Sequence, residues 1–195
     1  MRNRTLGAML ALLPCLAAGA DTYKLDPMHS MPTFSFAHLK LSAFRGRFDK
    51  VSGSITLDLA RHSGSADIII DINSVSTGVP ALDGFLRGAR FFDSAHFPEA
   101  RFQSERFTFS GDTLVAVAGV LTLHGVSKPV QLDIGYFACL AHPLLKVPAC
   151  GADASVTIKR SDFGLDIFSA NDGDLVRLDL PVEALKVDAA PVQAQ

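Results

Sequence analysis

The sequence predicts an all-β protein: an antiparallel sheet of eight or so strands, closed as a barrel or folded as a sandwich, with one short helix. Three observations carry that expectation. The dominant periodicity is two, in runs separated by turn residues; only one stretch has helical spacing; and the chain holds 14 Phe and 2 Tyr but no Trp. One-sided alternation means strands with one buried and one wet face, as in antiparallel sheets.

The chain opens on Arg2 and Arg4, an apolar run LGAMLALL at 6–13, and the A-x-A site Ala18-Gly19-Ala20. That is the layout of a secretory signal peptide over residues 1–20, too short in its apolar run to span a bilayer. Cys15 follows Pro14, where a lipoprotein signal needs a small residue, so it is read as discarded with the leader. Export to the periplasm is the expectation. Cleavage removes two basic residues and leaves 16 basic against 20 acidic side chains, a net charge of −4. A mildly acidic chain without basic clusters argues against nucleic acid as a partner. No later stretch approaches the roughly 20 apolar residues of a membrane span.

Residues 21–187 read as one domain and 188–195 (DAAPVQAQ, to the end) as a frayed tail. Phe34, Phe36 and His38 alternate with Thr33, Ser35 and Ala37, which puts the first three on one face of a strand. Shorter alternations follow at 55–59, 115–123 and 154–158. Longer ones run through Val130, Leu132, Ile134 and Tyr136, and through Val176, Leu178, Leu180 and Val182. Ile68-Ile69-Ile70 is apolar on both faces, so that strand is expected to be covered from outside. In residues 79–92, Leu82, Phe85, Leu86 and Ala89 follow helical spacing, with Pro80 at the start and Asp83–Arg87 as an i,i+4 pair; this helix is the expected cover. Phe102 is out of phase with Phe107 and Phe109, which predicts a β-bulge near Glu105. Gly125 through Pro129 reads as a turn. Cys139 and Cys150, the only cysteines of the mature chain, predict a disulfide in an oxidising compartment, worth about 2.5–3 kcal/mol by chain entropy.

Catalytic sets are missing from the sequence. There is no G-x-S-x-G, H-E-x-x-H, C-x-x-C or Walker motif, and the six histidines have no ligand spacing. No catalytic residue, metal or cofactor is expected. Phe brings wide apolar surface without a polar group to satisfy, and it suits either a packed core or a dry cavity of the kind eight-stranded barrels can enclose. Residue pattern alone leaves that choice open.

Five segments together resemble the YceI-like family, exported proteins with a lipocalin-like barrel that bind polyisoprenoids. They are Tyr23-Lys24-Leu25-Asp26-Pro27 with His29-Ser30 and Phe34-Ser35-Phe36-Ala37-His38; Arg45-Gly46-Arg47-Phe48 with Val51-Ser52-Gly53; Leu86-Arg87 to Phe91-Phe92-Asp93 with His96-Phe97-Pro98 and Ala100-Arg101-Phe102; the run from Gly119 to Val130 (GVLTLHGVSKPV); and Arg160-Ser161-Asp162-Phe163-Gly164. The cysteine pair departs from the commonest family pattern, and the G-x-W signature of true lipocalins is missing. The resemblance implies a barrel that binds a long-chain isoprenoid lipid (a polyprenol, its phosphate or a quinone tail) without a reaction; transient contact with a membrane or a membrane protein is a further expectation. The lining it implies comprises Phe34, Phe36, His38, Leu86, Phe91, Phe92, Phe102, Leu132, Ile134 and Phe163. Arg87 and Arg90 lie off the helix's apolar stripe, where they would meet a headgroup at the rim. Two other readings stand beside this one: an enzyme acting on a small apolar substrate through His38 or His124, and a partner-binding barrel with a packed core.

Overall fold

The computed structural model describes residues 19–167, 169 and 173–187. Residues 1–18 of the expected leader and the tail at 188–195 lie outside the described residues.

Among the described residues, eleven strand segments form one antiparallel sheet that closes on itself. In chain order they are β1 (Asp21–Leu25), β2 (Thr33–His38), β3 (Ser42–Phe48), β4 (Val51–Asp58), β5 (Ser63–Asp71), β6 (Val75–Ser76), β7 (Glu99–Ser110), β8 (Thr113–Leu123), β9 (Val126–Ala141), β10 (Pro148–Lys159) and β11 (Leu175–Lys186). One helix, α1 (Pro80–Arg87), lies between β6 and β7. Six segments join in pairs, β1 with β2, β3 with β4 and β5 with β6, so the ring has eight staves, each antiparallel to the next in sequence. β11 closes it, pairing with β2 from Val176↔Phe36 to Asp179↔Thr33 and with β1 from Ala184↔Leu25 to Lys186↔Tyr23. Eight strands enclose an interior just wide enough for side chains or one small ligand.

The three broken staves break side by side, and backbone bonds close the gap: Phe48 N–H donates to the Pro32 carbonyl, Asp49 N–H to Ser74, and Asp71 N–H to Lys50. Pro181 of β11, which has no N–H to donate, falls opposite the break between β1 and β2. There Ser30 seals the gap, its hydroxyl donating to the Glu183 carbonyl and accepting the Glu183 N–H.

The expected bulge is present. The β7–β8 register shifts between Gln103 and Arg106, and the Ser104 hydroxyl donates to the Ala118 carbonyl while accepting the Arg106 N–H. The turn expected at 125–129 is tighter than that. His124 (φ 51°) and Gly125 (φ 74°) form a two-residue left-handed turn, and Val126 to Pro129 already pair with β8. Cys139 and Cys150 face each other across β9 and β10 and are bonded.

The helix corrects three expectations. It ends at Arg87, where Gly88 turns extended (ψ 163°), so Ala89 falls outside it and is exposed. Asp83 does not pair with Arg87; its carboxylate accepts the N–H and hydroxyl of Thr77 and ties the helix to the preceding loop. Nor does α1 cover Ile69. Leu82, Phe85 and Leu86 join the core cluster inside one end of the barrel, while Ile69 stands on the outer face between Ser52 and Arg101. A stripe as apolar as that of α1 gains more from the open end of a barrel than from a half-wet outer wall.

Candidate functional site

The described residues leave the interior unfilled. A cavity of about 390 Å³ occupies the α1 end of the barrel. Alternation along β2 turns Phe34, Phe36 and His38 toward it, and the ladders set Phe44 of β3 and Val176 of β11 on either side of Phe36. The Phe36 and Phe44 rings stand 5.2 Å apart, and Phe34 and Phe48 5.6 Å. From α1 and the turn after it come Leu82, Phe85, Leu86, Phe91 and Phe92, the last two edge to face at 4.9 Å. Offset and edge-on ring pairs of this kind add to area burial. Ala37, His38 and Leu39 are exposed members of the lining and mark its mouth at the β2–β3 turn.

Among the described residues, one charged residue belongs to this lining. Arg160, 8% exposed, donates through Nε to the Gly173 carbonyl (2.7 Å) and through its two terminal nitrogens to Leu165 (2.5 Å) and Ile167 (2.8 Å). Its guanidinium lies over the Phe91 ring, 5.5 Å from the centroid. Burial lowers its pKa, against the raising effect of Asp174 and Asp166. Leu165 and Ile167 themselves line the cavity, so Arg160 holds part of the wall by its backbone.

A second cavity, about 80 Å³, lies farther along the interior, lined by Phe102, Phe107, Leu132, Ile134 and Phe137 among others.

Six of the expected lining residues therefore meet around the main cavity: Phe34, Phe36, His38, Leu86, Phe91 and Phe92. Phe102, Leu132 and Ile134 do not; they point inward as alternation requires, but around the smaller cavity. Phe163 lines neither. It is 2% exposed in the core, and its carbonyl accepts from His124 Nδ1. Arg87 is half-buried outside the lining, and Arg90 is exposed. Helical position alone put Arg87 at the rim, whereas the buried cation is Arg160. The signal for Arg160 was its place in Arg160-Ser161-Asp162-Phe163-Gly164, where a left-handed Gly164 (φ 73°) brings the chain back under the guanidinium. Phe44 could have been found as the partner of Phe36 across a short turn.

The histidines are differently engaged. The His124 ring packs edge-on to Phe97 and bonds the Phe163 carbonyl, outside both cavities. Among the described residues, Asp26, His29 and Glu183 are grouped as metal ligands would be, with ligand atoms within 4.8 Å of one another. They lie outside both cavities, and Asp26 already accepts from the Met28 N–H and from His29 Nδ1 at 2.7 Å. That bond to His29 is the main cause of the lowered Asp26 pKa and the raised His29 pKa. No helix among the described residues is long and apolar enough to cross a membrane.

Fold and site together define a lipocalin-like β-barrel with an apolar chamber at one end. The YceI-like domain model matches residues 23–184. A UPF0312 protein of Yersinia pestis (strain Pestoides F) is 35% identical over 193 residues, covering 96% of this chain and 100% of that protein. One from Vibrio vulnificus (strain YJ016) is 28% identical over 191 residues, covering 95% and 100%. The chain belongs to the YceI-like family. Among solved structures, a Campylobacter jejuni YceI protein is similar at TM-score 0.65 and 28% identity, over 77% of this chain and 90% of that one. Burkholderia cenocepacia BcnA matches at TM-score 0.70 and 22% identity (82% and 98% covered). A polyisoprenoid binding domain from Saccharophagus degradans, implicated in plant cell wall breakdown, matches at 0.64 and 23% (85% and 98% covered). These last two show the fold.

Proposed function

We propose that the protein is a periplasmic binding and carrier protein for an isoprenoid lipid, a polyprenol, a polyprenyl phosphate or an isoprenoid quinone. Its apolar tail would sit in the main cavity and its polar head at the mouth, beside His38. The observation that carries this reading is a Phe-lined chamber in which the only charged group among the described residues, Arg160, is committed to backbone carbonyls. A packed core would leave no such space. The ligand named for the Saccharophagus degradans domain supports the same class.

Size and energy agree. A cavity of about 150 Å³ accommodates six-carbon benzene, so about 390 Å³ suits ~15 carbons, or three isoprene units. Burying them contributes ~12 kcal/mol at ~0.8 kcal/mol per carbon. Association costs of at least ~4 kcal/mol leave affinities near the micromolar range, suited to a carrier that must also release. The rest of a longer chain has to lie beyond the main cavity. We read the protein as a binder rather than an enzyme: His38 and His124 are hydrogen-bonded to no carboxylate or hydroxyl among the described residues.

Native mass spectrometry of protein purified from the periplasm of its own host tests the proposal. The expected species is a chain starting at Asp21 that carries one isoprenoid mass. A ligand-free mass would overturn carriage, and recovery only from the cytoplasm would overturn the periplasmic assignment.

A further inference from the structure

The two cavities share one barrel interior but remain separate. The partition is made of residues that pack against the clusters on both sides: Phe102 of β7 and Val156 of β10, with Leu180 of β11, which lines the main cavity and packs against the deeper cluster. Phe102 dominates it by size. Its backbone is held between Ile68 of β5 and Leu121 of β8, just ahead of the bulge at Gln103–Arg106. Its ring lies over Gly119, where an added Cβ would come within 2.7 Å of the ring's Cζ. A side chain at Gly119 would deny the ring that place. The ring thus stands between the cluster that surrounds the main cavity and the smaller cavity, which it lines and which is apolar too.

We infer that Phe102 is the length-determining residue of this barrel, selecting isoprenoid chains by closing the chamber after about three five-carbon units. This rests on the lipid-binding reading above. The main cavity suits ~15 carbons. Without the ring the two cavities join, about 470 Å³ together, and the ring's own space is added. That suits ~25 carbons, or five units. In the wild type, a chain longer than three units must displace the Phe102 ring or leave its surplus outside, so its extra carbons add little to binding.

The test is competition. Equimolar prenols of two, three, four and five units are offered from mixed micelles to wild type, Phe102→Ala and Phe102→Leu, and the bound species are read by native mass spectrometry. Wild type should hold the three-unit prenol in preference to the five-unit one. The ratio of five-unit to three-unit prenol bound should rise at least tenfold in Phe102→Ala. It should rise by a smaller factor in Phe102→Leu, which retains most of the packing and guards against failure of the alanine variant to fold. An unchanged ratio in the folded variants, with prenols still bound, overturns the floor and leaves lipid binding standing. Failure of all three proteins to bind any prenol overturns the lipid reading, and this inference with it.

Discussion

Replacing Arg160 by Met should loosen the chamber wall more than any change to an exposed arginine. The guanidinium donates to three backbone carbonyls, on Leu165, Ile167 and Gly173, and is 8% exposed. Hydrogen bonds from a charged donor contribute about 1.5–3 kcal/mol each, so three amount to roughly 4.5–9 kcal/mol. Holding a cation away from water costs several kcal/mol, which Met avoids. The difference is a destabilisation of about 3 kcal/mol, or a Tm lower by about 6–12 °C for a domain of this size. Because Leu165 and Ile167 also line the cavity, the bound lipid should exchange faster. Arg160→Lys should recover less than half of the loss, since one ammonium cannot span three carbonyls. Thermal unfolding followed by circular dichroism, with stopped-flow release of a fluorescent prenol, reads both effects. A Tm within 2 °C of wild type and an unchanged release rate would refute the clamp.

Three further expectations follow from the geometry. Removing the disulfide as Cys139→Ala/Cys150→Ala should cost about 2.5–3 kcal/mol and lower Tm by about 5–10 °C; an unchanged melting curve would show that the bond contributes nothing. Phe36→Asp should empty the chamber of lipid or unfold the protein, since a carboxylate there costs several kcal/mol, whereas Arg87→Ala, outside the lining, should bind as wild type does; the reverse order of effects in a prenol-binding assay would contradict the site. Asp26, Asp58, Asp67 and Asp174 are held below their ordinary value of 3.8, chiefly by bonds from the His29 ring, the Arg61 N–H, the Arg101 side chain and the Ser161 N–H respectively. They contribute stability that is present above about pH 4 and is lost as pH falls through their lowered values, while raised His29 contributes below 6.5 and is lost as pH rises through its raised value. Tm should therefore be highest between about pH 4 and 6.5 and fall more steeply on the acid side. Asp174→Asn should flatten the acid limb, and an acid limb equally steep in that variant would argue against its share.

Much of this architecture was readable in the linear chain because its causes are local. Alternation at Phe34, Phe36 and His38 put all three on the cavity's side of the strand, and a phase slip between Phe102 and Phe107 revealed a bulge that hydrogen bonds later explained. The helix was legible from the stripe of Leu82, Phe85 and Leu86, and the cysteine pairing from there being only two beyond the expected leader. What no local pattern contains is depth along the barrel. Phe36 and Leu132 satisfy the same inward rule, yet they line different cavities, because a period of two assigns a face and not a height. The buried cation escaped for a related reason: Arg160 finds its partners through a left-handed Gly164 and the return of the chain at Gly173, contacts that exist only once the segment is folded back on itself. Helical spacing likewise showed that α1 had an apolar face but not which surface would receive it. The closure of β11 onto β1 and β2 decided that, by leaving one open barrel end where such a face could be buried.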